Sequence, residues 1–361
     1  MQFGWLTLAL SPSPSEDATR IDDQLEQAEL AESLGFDDVW LTEHYFTGES
    51  VYNDPLIFAS ALAMRTERIR IGFAVLQMSL HHPVRLAVQL ALLDNLSRGR
   101  IDIGVGRGTV YNEYEFMGYG LRSHDSRARM TEAVDILTKA WTQAPLDYQG
   151  EHFQVSVPEI RPLPYQRPHP PLWRSVISPE SFTDCGEQGV PILTARLPAD
   201  QIADRWDRYQ AGLVAGGHSE LRCEELLRRS ALWRNVYVAD SRAQAEEELA
   251  SHLLGTREHM MHVRHEHNPP DFEIEPAMLN AWSNPAVGHE DAVRQVLNTG
   301  SIFGTVSDVR DQVAELRDAG VQHLLCQMAF GATPQAQSLA SMRQFGEEVM
   351  PAFQDDRPVA A

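Results

Sequence analysis

A chain of 361 residues with 43% hydrophobic and 22% charged side chains has the material for a large buried core, which excludes disorder of the whole. Its 51 Asp and Glu against 30 Lys and Arg leave a formal net charge of −21, a field that repels phosphate polymers and anionic bilayers, so neither nucleic acid nor a membrane surface is an expected partner. Cys185, Cys223 and Cys326 lie far apart and outside any CxxC, so they read as reduced, buried thiols and favour a cytoplasmic location.

The chain opens on an apolar stretch of about eight residues with no Lys or Arg before it, too short and wrongly flanked for a signal peptide, and suited to a first strand at residues 2–8. A helix at 21–34 follows, in which Leu25, Ala28, Leu30, Ala31 and Leu34 recur at helical spacing and Gly35 supplies the stop. Further strands are predicted at 38–41, 69–74, 101–104, 172–176, 191–194, 232–238 and 323–327. Helices are predicted at 84–96, 127–140, 199–215, 241–254, 306–319 and 336–350. Eight short apolar runs alternating with amphipathic stretches predict parallel βα units of the α/β class, and a closed (β/α)8 TIM barrel fits them better than an open sheet. Barrels of this length commonly form one domain, so residues 1–361 are expected to make one. No stretch approaches the roughly 20 apolar residues of a membrane span.

Two regions break the rhythm. Residues 146–171 carry Pro158, Pro162, Pro164, Pro168, Pro170 and Pro171 and are expected to form an inserted hairpin or an extended excursion. Residues 255–302 are polar and spotted with aromatics, which suggests a long loop serving as a lid or an added subdomain. The last residues, 355–361, read as a disordered tail.

In such barrels the reacting groups gather where strands end, and three junctions stand out. The first is the second strand's ending in Glu43-His44-Tyr45-Phe46. An imidazole there can move protons near neutrality, with Glu43 holding its tautomer, or it can be a capped loop histidine. The second is Gly104-Val105-Gly106-Arg107-Gly108, where glycines let a planar ligand approach and the guanidinium can grip a phosphate; the same glycines would also serve a tight turn. No Rossmann fingerprint follows. The third is Ser178-Pro179-Glu180-Ser181, a helix start after the fifth strand that reads equally as an anion site or as ordinary capping. The histidines 259, 262, 265 and 267 lack a zinc-helix order and read as a solvated loop, so no metal site is expected. The acid pairs Asp22-Asp23 and Asp37-Asp38, with Glu246 to Glu248, read as solvating surface. There is no GxSxG elbow and no Walker loop, which removes the main support for hydrolase and NTPase readings.

Together these segments resemble the bacterial luciferase-like flavin monooxygenases, above all the luciferase catalytic chain, over nearly the whole length. The matching pieces are Gly35-Phe36-Asp37-Asp38-Val39-Trp40-Leu41-Thr42-Glu43-His44-Tyr45-Phe46, His82-Pro83-Val84-Arg85, Leu93-Asp94, Ser97-Arg98-Gly99-Arg100, Gly104 to Gly108, Ser341-Met342-Arg343-Gln344-Phe345 and Val349-Met350-Pro351. The resemblance implies a barrel that binds FMN non-covalently at its mouth, receives it reduced as FMNH2 from a separate flavin reductase, and forms a C4a-hydroperoxide with O2 that oxidises a small organic substrate. It places His44 near the reacting part of the flavin, Arg107 and the Ser178 and Ser181 turn at its phosphate, and a cis peptide at Ala74-Val75 beneath its ring. It also implies a complex, here a homodimer, formed through helices in the first quarter of the chain.

Gly106 stands where luciferase catalytic chains carry a cysteine, and 255–302 matches their lid poorly, so a non-luminous oxygenation is the expectation. His44 is read as the acid/base, Glu43 as its orienting partner, and Trp5, Tyr45, Phe46, Tyr111 and part of the inserted loop as pocket wall. Two readings stand beside it: an F420-dependent dehydrogenase or reductase of the same superfamily, and a non-catalytic flavin-binding subunit.

Overall fold

The structure, a computed structural model, describes residues 1–195, 197–274, 279–331 and 333–354. The expected tail at 355–361 lies outside the described residues. Four parallel strands, β1 (Gln2–Thr7), β2 (Asp38–Leu41), β3 (Arg70–Gln77) and β4 (Ile101–Gly106), lie side by side in chain order. A small antiparallel hairpin, β5 (Leu146–Gln149) and β6 (Gln154–Val157), then interrupts them as the proline-rich stretch predicts. The ring resumes with β7 (Leu172–Ser175), β8 (Ile192–Ala195) and β9 (Ala231–Val238). An extra strand, β10 (Ser301–Gly304), pairs with the far half of β9, and β11 (His323–Gln327) joins β9 to β1. Because β8 also pairs with β9, eight parallel strands close on themselves as a (β/α)8 barrel.

Helices α1 (Asp17–Leu34), α2 (Pro55–Arg65), α3 (Pro83–Leu96), α4 (Glu113–Gly118), α5 (Ser126–Thr142) and α6 (Pro179–Gln188) belong to the first part of the chain. The rest are α7 (Ala199–Ala215), α8 (Glu220–Arg229), α9 (Arg242–His267), α10 (His289–Gly300), α11 (Val306–Asp318) and α12 (Gln335–Gln344). Helix α2, absent from the sequence expectation, starts where Asp54 accepts the amides of Leu56 and Ile57 with Pro55 in the first turn.

One core lies between the strands and the helices, and a second plug fills the barrel itself. Trp40 and Trp173 meet edge to face in the plug with centroids 5.0 Å apart, among Leu6, Leu193, Ala231 and Leu325. Gly72 makes this possible, since a Cβ there would come within 2.5 Å of the Trp40 ring. Ala74, Val75 and Trp233 pack on the plug while remaining partly exposed, and so become floor for whatever lies above.

Several expectations need correction. Residues 255–302 are not a long loop: α9 runs on to His267, and α10 and β10 fill much of the remainder. Leu249, Leu253, Met260 and Val263 keep the helical period past Gly255, so burial carries the helix through a stretch whose surface composition looks like loop. His259 thus sits on a helix, where its Nε2 meets the Thr47 carbonyl at 2.9 Å. Asp38 is not solvating surface either, because its carboxylate accepts Trp40 Nε1 at 2.7 Å and pairs with buried His323 at 3.1 Å. Cys185 and Cys326 are buried, but Cys223 is only half-buried. Among the described residues no helix is long and apolar enough to cross a membrane.

Candidate active site

Strand ends and the turns after them build two adjoining cavities, one of about 490 Å³ and one of about 700 Å³. His44, Ala74, Thr109, Tyr111, Ile177 and Ser178 line both. All seven residues singled out from the sequence, Glu43, His44, Ala74, Val75, Arg107, Ser178 and Ser181, meet on the wall of the smaller one. Arg127 and Arg174 also border it, but the Arg174 guanidinium turns away to Gln188 Oε1 at 3.4 Å, at the far end of α6, so Arg107 and Arg127 are the cations that share this wall with the two serine hydroxyls. Ser178 caps α6, its Oγ 3.0 Å from Ser181 Oγ, and Pro179 begins the helix, which leaves a helix N-terminus facing the arginines. The peptide between Ala74 and Val75 is cis. A Cβ on Gly106 would stand 2.3 Å from Val75 Cγ2, so glycine at 106 leaves room for the Val75 side chain on this wall.

His44 is held differently from the sequence expectation. Its Nδ1 lies 3.3 Å from Glu115 Oε1, and its Nε2 lies 3.5 Å from Glu49 Oε1. Glu43 does not touch it; that buried carboxylate accepts the Tyr45 hydroxyl and the Gln77 amide and pairs with His81 Nε2 at 2.7 Å. Both residues lie just past the end of β2, and there Glu43 turns to the Tyr45, Gln77 and His81 side while His44 turns to Glu49 and Glu115. Gln77 ties the two sets together, its Nε2 donating to the Glu43 carbonyl at 2.6 Å and to Glu115 Oε2 at 3.0 Å. Asn112 Nδ2 donates to Glu49 at 3.3 Å and to Glu115 at 3.1 Å.

Burial pulls the His44 imidazole down, but the Glu49 charge and the Glu115 hydrogen bond outweigh it and raise the group from 6.5 to about 9. Burial alone would raise Glu43, yet the His81 charge and the surrounding donors hold it below its ordinary range. Tyr45 is pushed up by burial and by the Glu43 charge. At neutral pH the cavity therefore presents an imidazolium, an acid whose Nε2 is the less tightly engaged atom. His44, Glu49 and Glu115 also bring one ligand atom each within 4.8 Å, the spacing of a metal set. With a carboxylate against each ring nitrogen, the arrangement suits an imidazolium better.

Tyr111 lines both cavities as expected. Trp5 is core, and Tyr45 and Phe46 face a separate cleft beside His81 and Tyr119, so these three are not wall here. The inserted hairpin contributes nothing to the described lining, whereas α9, α10 and the segment between them roof the larger cavity with Met260, Arg264, Trp282 and Val296. Glu49, Gln77, His81, Asn112, Glu115, Arg127, Arg174 and Arg264 escaped the sequence reading. Only Arg174 carried a signal, through its place beside the fifth barrel strand's end.

The family model for luciferase-like monooxygenases matches residues 1–323. An uncharacterised protein, y4wF of Sinorhizobium fredii, is 30% identical over 92% of each chain. The oxygenase component of a flavin-dependent trigonelline monooxygenase from Acinetobacter baylyi is 24% identical over 93% of this chain and 91% of its own. Among solved structures, monooxygenase RslO1 of Streptomyces bottropensis superposes with a TM-score of 0.79 at 25% identity, covering 98% of this chain and all of that one. An F420-dependent secondary alcohol dehydrogenase shares the fold at 0.72 and 18% identity, over 98% and 99%. The chain belongs to the luciferase-like monooxygenase family. It is a flavin-dependent oxidoreductase of that family.

Proposed function

We propose that this chain is the oxygenase of a two-component system, binding FMN non-covalently, receiving it as FMNH2 from a separate flavin reductase, and using O2 to oxidise a small organic substrate. One observation carries the reading: Arg107 and Arg127, a serine-capped helix N-terminus and a histidine held between two carboxylates border a single cavity floored by Ala74 and Val75. These residues fit the cofactor. A phosphate dianion suits Arg107, Arg127, Ser178 and Ser181, and a planar ring suits the apolar floor of Ala74 and Val75.

A reduced flavin held there would supply the two electrons that activation of O2 needs. His44 holds a proton on Nε2, where it can steady developing negative charge and then donate the proton to it, with the Glu49 carboxylate beside that atom favouring the imidazolium beforehand. Met260, Trp282 and Phe330 give an apolar lining to the larger cavity, which we assign to the substrate. Residues 1–361 work as one domain on this reading, the insertion at 255–302 forming its roof. Its free thiols suit a cytoplasmic setting. Helices α2 and α3 expose Ile57, Met64, Val88, Leu92 and Leu96, a face suited to pairing with a second copy.

The test is to bind FMNH2 under nitrogen and mix rapidly with air. Reoxidation of bound flavin slower than that of free flavin, with O2 consumed, is expected. Arg107→Met should weaken FMN about tenfold or more while leaving riboflavin binding alone. Turnover with reduced F420 under nitrogen, and none with FMNH2, would put the deazaflavin reading in its place; no flavin-dependent O2 consumption at all would leave a binding subunit.

A further inference from the structure

The wall of the 700 Å³ cavity is largely apolar, with Trp233, Trp282, Phe330, Met260, Leu253 and Val296 among its residues. Its charged lining among the described residues is uneven: Arg205, Arg264 and His44 against Glu49, inside a chain of net charge −21. Arg264, on α9, is only 8% exposed. Its Nε donates to Asn112 Oδ1 at 2.8 Å, and its guanidinium lies 5.3 Å from the Tyr111 ring centre. One terminal nitrogen is buried without a hydrogen-bond partner among the described residues.

The nearby acids do not answer this cation. Glu115 accepts from His44, the Tyr45 amide, Gln77 and Asn112, and Glu49 from Asn112 with His44 alongside, so both are engaged. Arg264 forms no ion pair among the described residues. A buried guanidinium on a largely apolar wall is costly without a counter-charge, which an anionic ligand in the cavity would bring. A guanidinium donates strongly to a carboxylate. The uncharged partner on Nε matters too, because Asn112 fixes the fork's direction without neutralising it.

We propose that Arg264 anchors a carboxylate of the substrate, so that the molecule oxidised here is an organic acid whose apolar body lies against Trp233, Trp282 and Phe330. The proposal rests on reading this cavity as the substrate side of a flavin enzyme. Anchoring at Arg264 holds the body of the acid beside His44, which lines the same cavity. Asn112 is then a positioning residue, joining the anchor to the carboxylates that hold the imidazole.

The test compares benzoate, cinnamate and decanoate with their primary amides, using the full-length protein with and without oxidised FMN and calorimetry as the readout. At least one acid is expected to bind tenfold or more tightly than its amide. Arg264→Gln should abolish that preference, and Arg264→Lys should keep part of it. Equal binding of every acid and amide by the unmodified protein overturns the proposal even if a variant fails to fold, and so does a preference that survives Arg264→Gln. Quenching of FMN fluorescence in the same samples separates the two ideas. In the unmodified protein, no acid preference with FMN binding intact sinks the anchor alone, whereas absent FMN binding beside a clear acid preference sinks only the flavin reading.

Discussion

Both ring nitrogens of His44 face carboxylates, and the consequence is a group that stays protonated where an ordinary histidine would not. Its folded value of about 9 lies above the ordinary 6.5, so the stabilisation is fully present below pH 6.5 and is lost as pH rises through about 9. In Glu115→Gln the imidazole should titrate closer to 6.5, as read from its ring nitrogen shifts by NMR, and the loss of stability between those two pH values should shrink. A titration left near 9 would show that Glu115 does not hold the proton. His44→Ala should retain FMN while turnover falls on the order of 10²- to 10⁴-fold, the usual range for removing a positioned acid or base. Glu43, by contrast, serves His81, Tyr45 and Gln77, so its role is to hold the end of β2 and the end of β3 together.

Helix α9 shows how an element takes over a function the inserted hairpin seemed as well placed to perform. Its Arg257, 1% exposed, donates to the carbonyls of Ala281, Asn284 and Val287 at 3.3, 3.0 and 2.9 Å, and so fastens the segment after α9 across the larger cavity. At the helix end Asn268 bonds the Tyr111 carbonyl at 2.9 Å and receives the Tyr114 amide at 3.1 Å, tying the roof to the turn after β4. Arg257→Met should therefore speed hydrogen exchange of amides 281–289 by roughly tenfold to a hundredfold, the equivalent of one or two charged hydrogen bonds. Substrate KM should rise while the FMN Kd stays put. Unchanged exchange would mean that the roof is held by packing against Trp282 and Val293 instead.

At the scale of the molecule, the exposed apolar face of α2 and α3 stands out from a surface otherwise dominated by acids. Ile57 and Met64 are 70% and 72% exposed, and Leu92 is 49% exposed on the neighbouring helix. If two copies pair there, Leu92→Asp should convert a dimer to a monomer in light scattering, since a carboxylate buried against its own symmetry copy is doubly costly. A dimer that persists in Leu92→Asp would place the interface elsewhere.

The eight barrel strands were legible because each is an apolar run bounded by turn residues, and the hairpin because prolines cannot enter a central strand. The Glu43-His44 ending, the glycines around Arg107 and the Ser178 turn were legible because strand ends concentrate chemistry in this architecture. What the sequence could not carry is everything that depends on which side chains close the ring from distant places. Glu115 reaches His44 from 71 positions away and Arg264 reaches Asn112 from 152 away, contacts that exist only after closure. Local pattern determined the barrel and the ends of its strands; only the closed tertiary structure decided that His44 belongs to Glu49 and Glu115 and that α9 roofs the site. Periodicity reports burial along one element, whereas a charge partner is chosen by three-dimensional proximity, which no local spacing encodes.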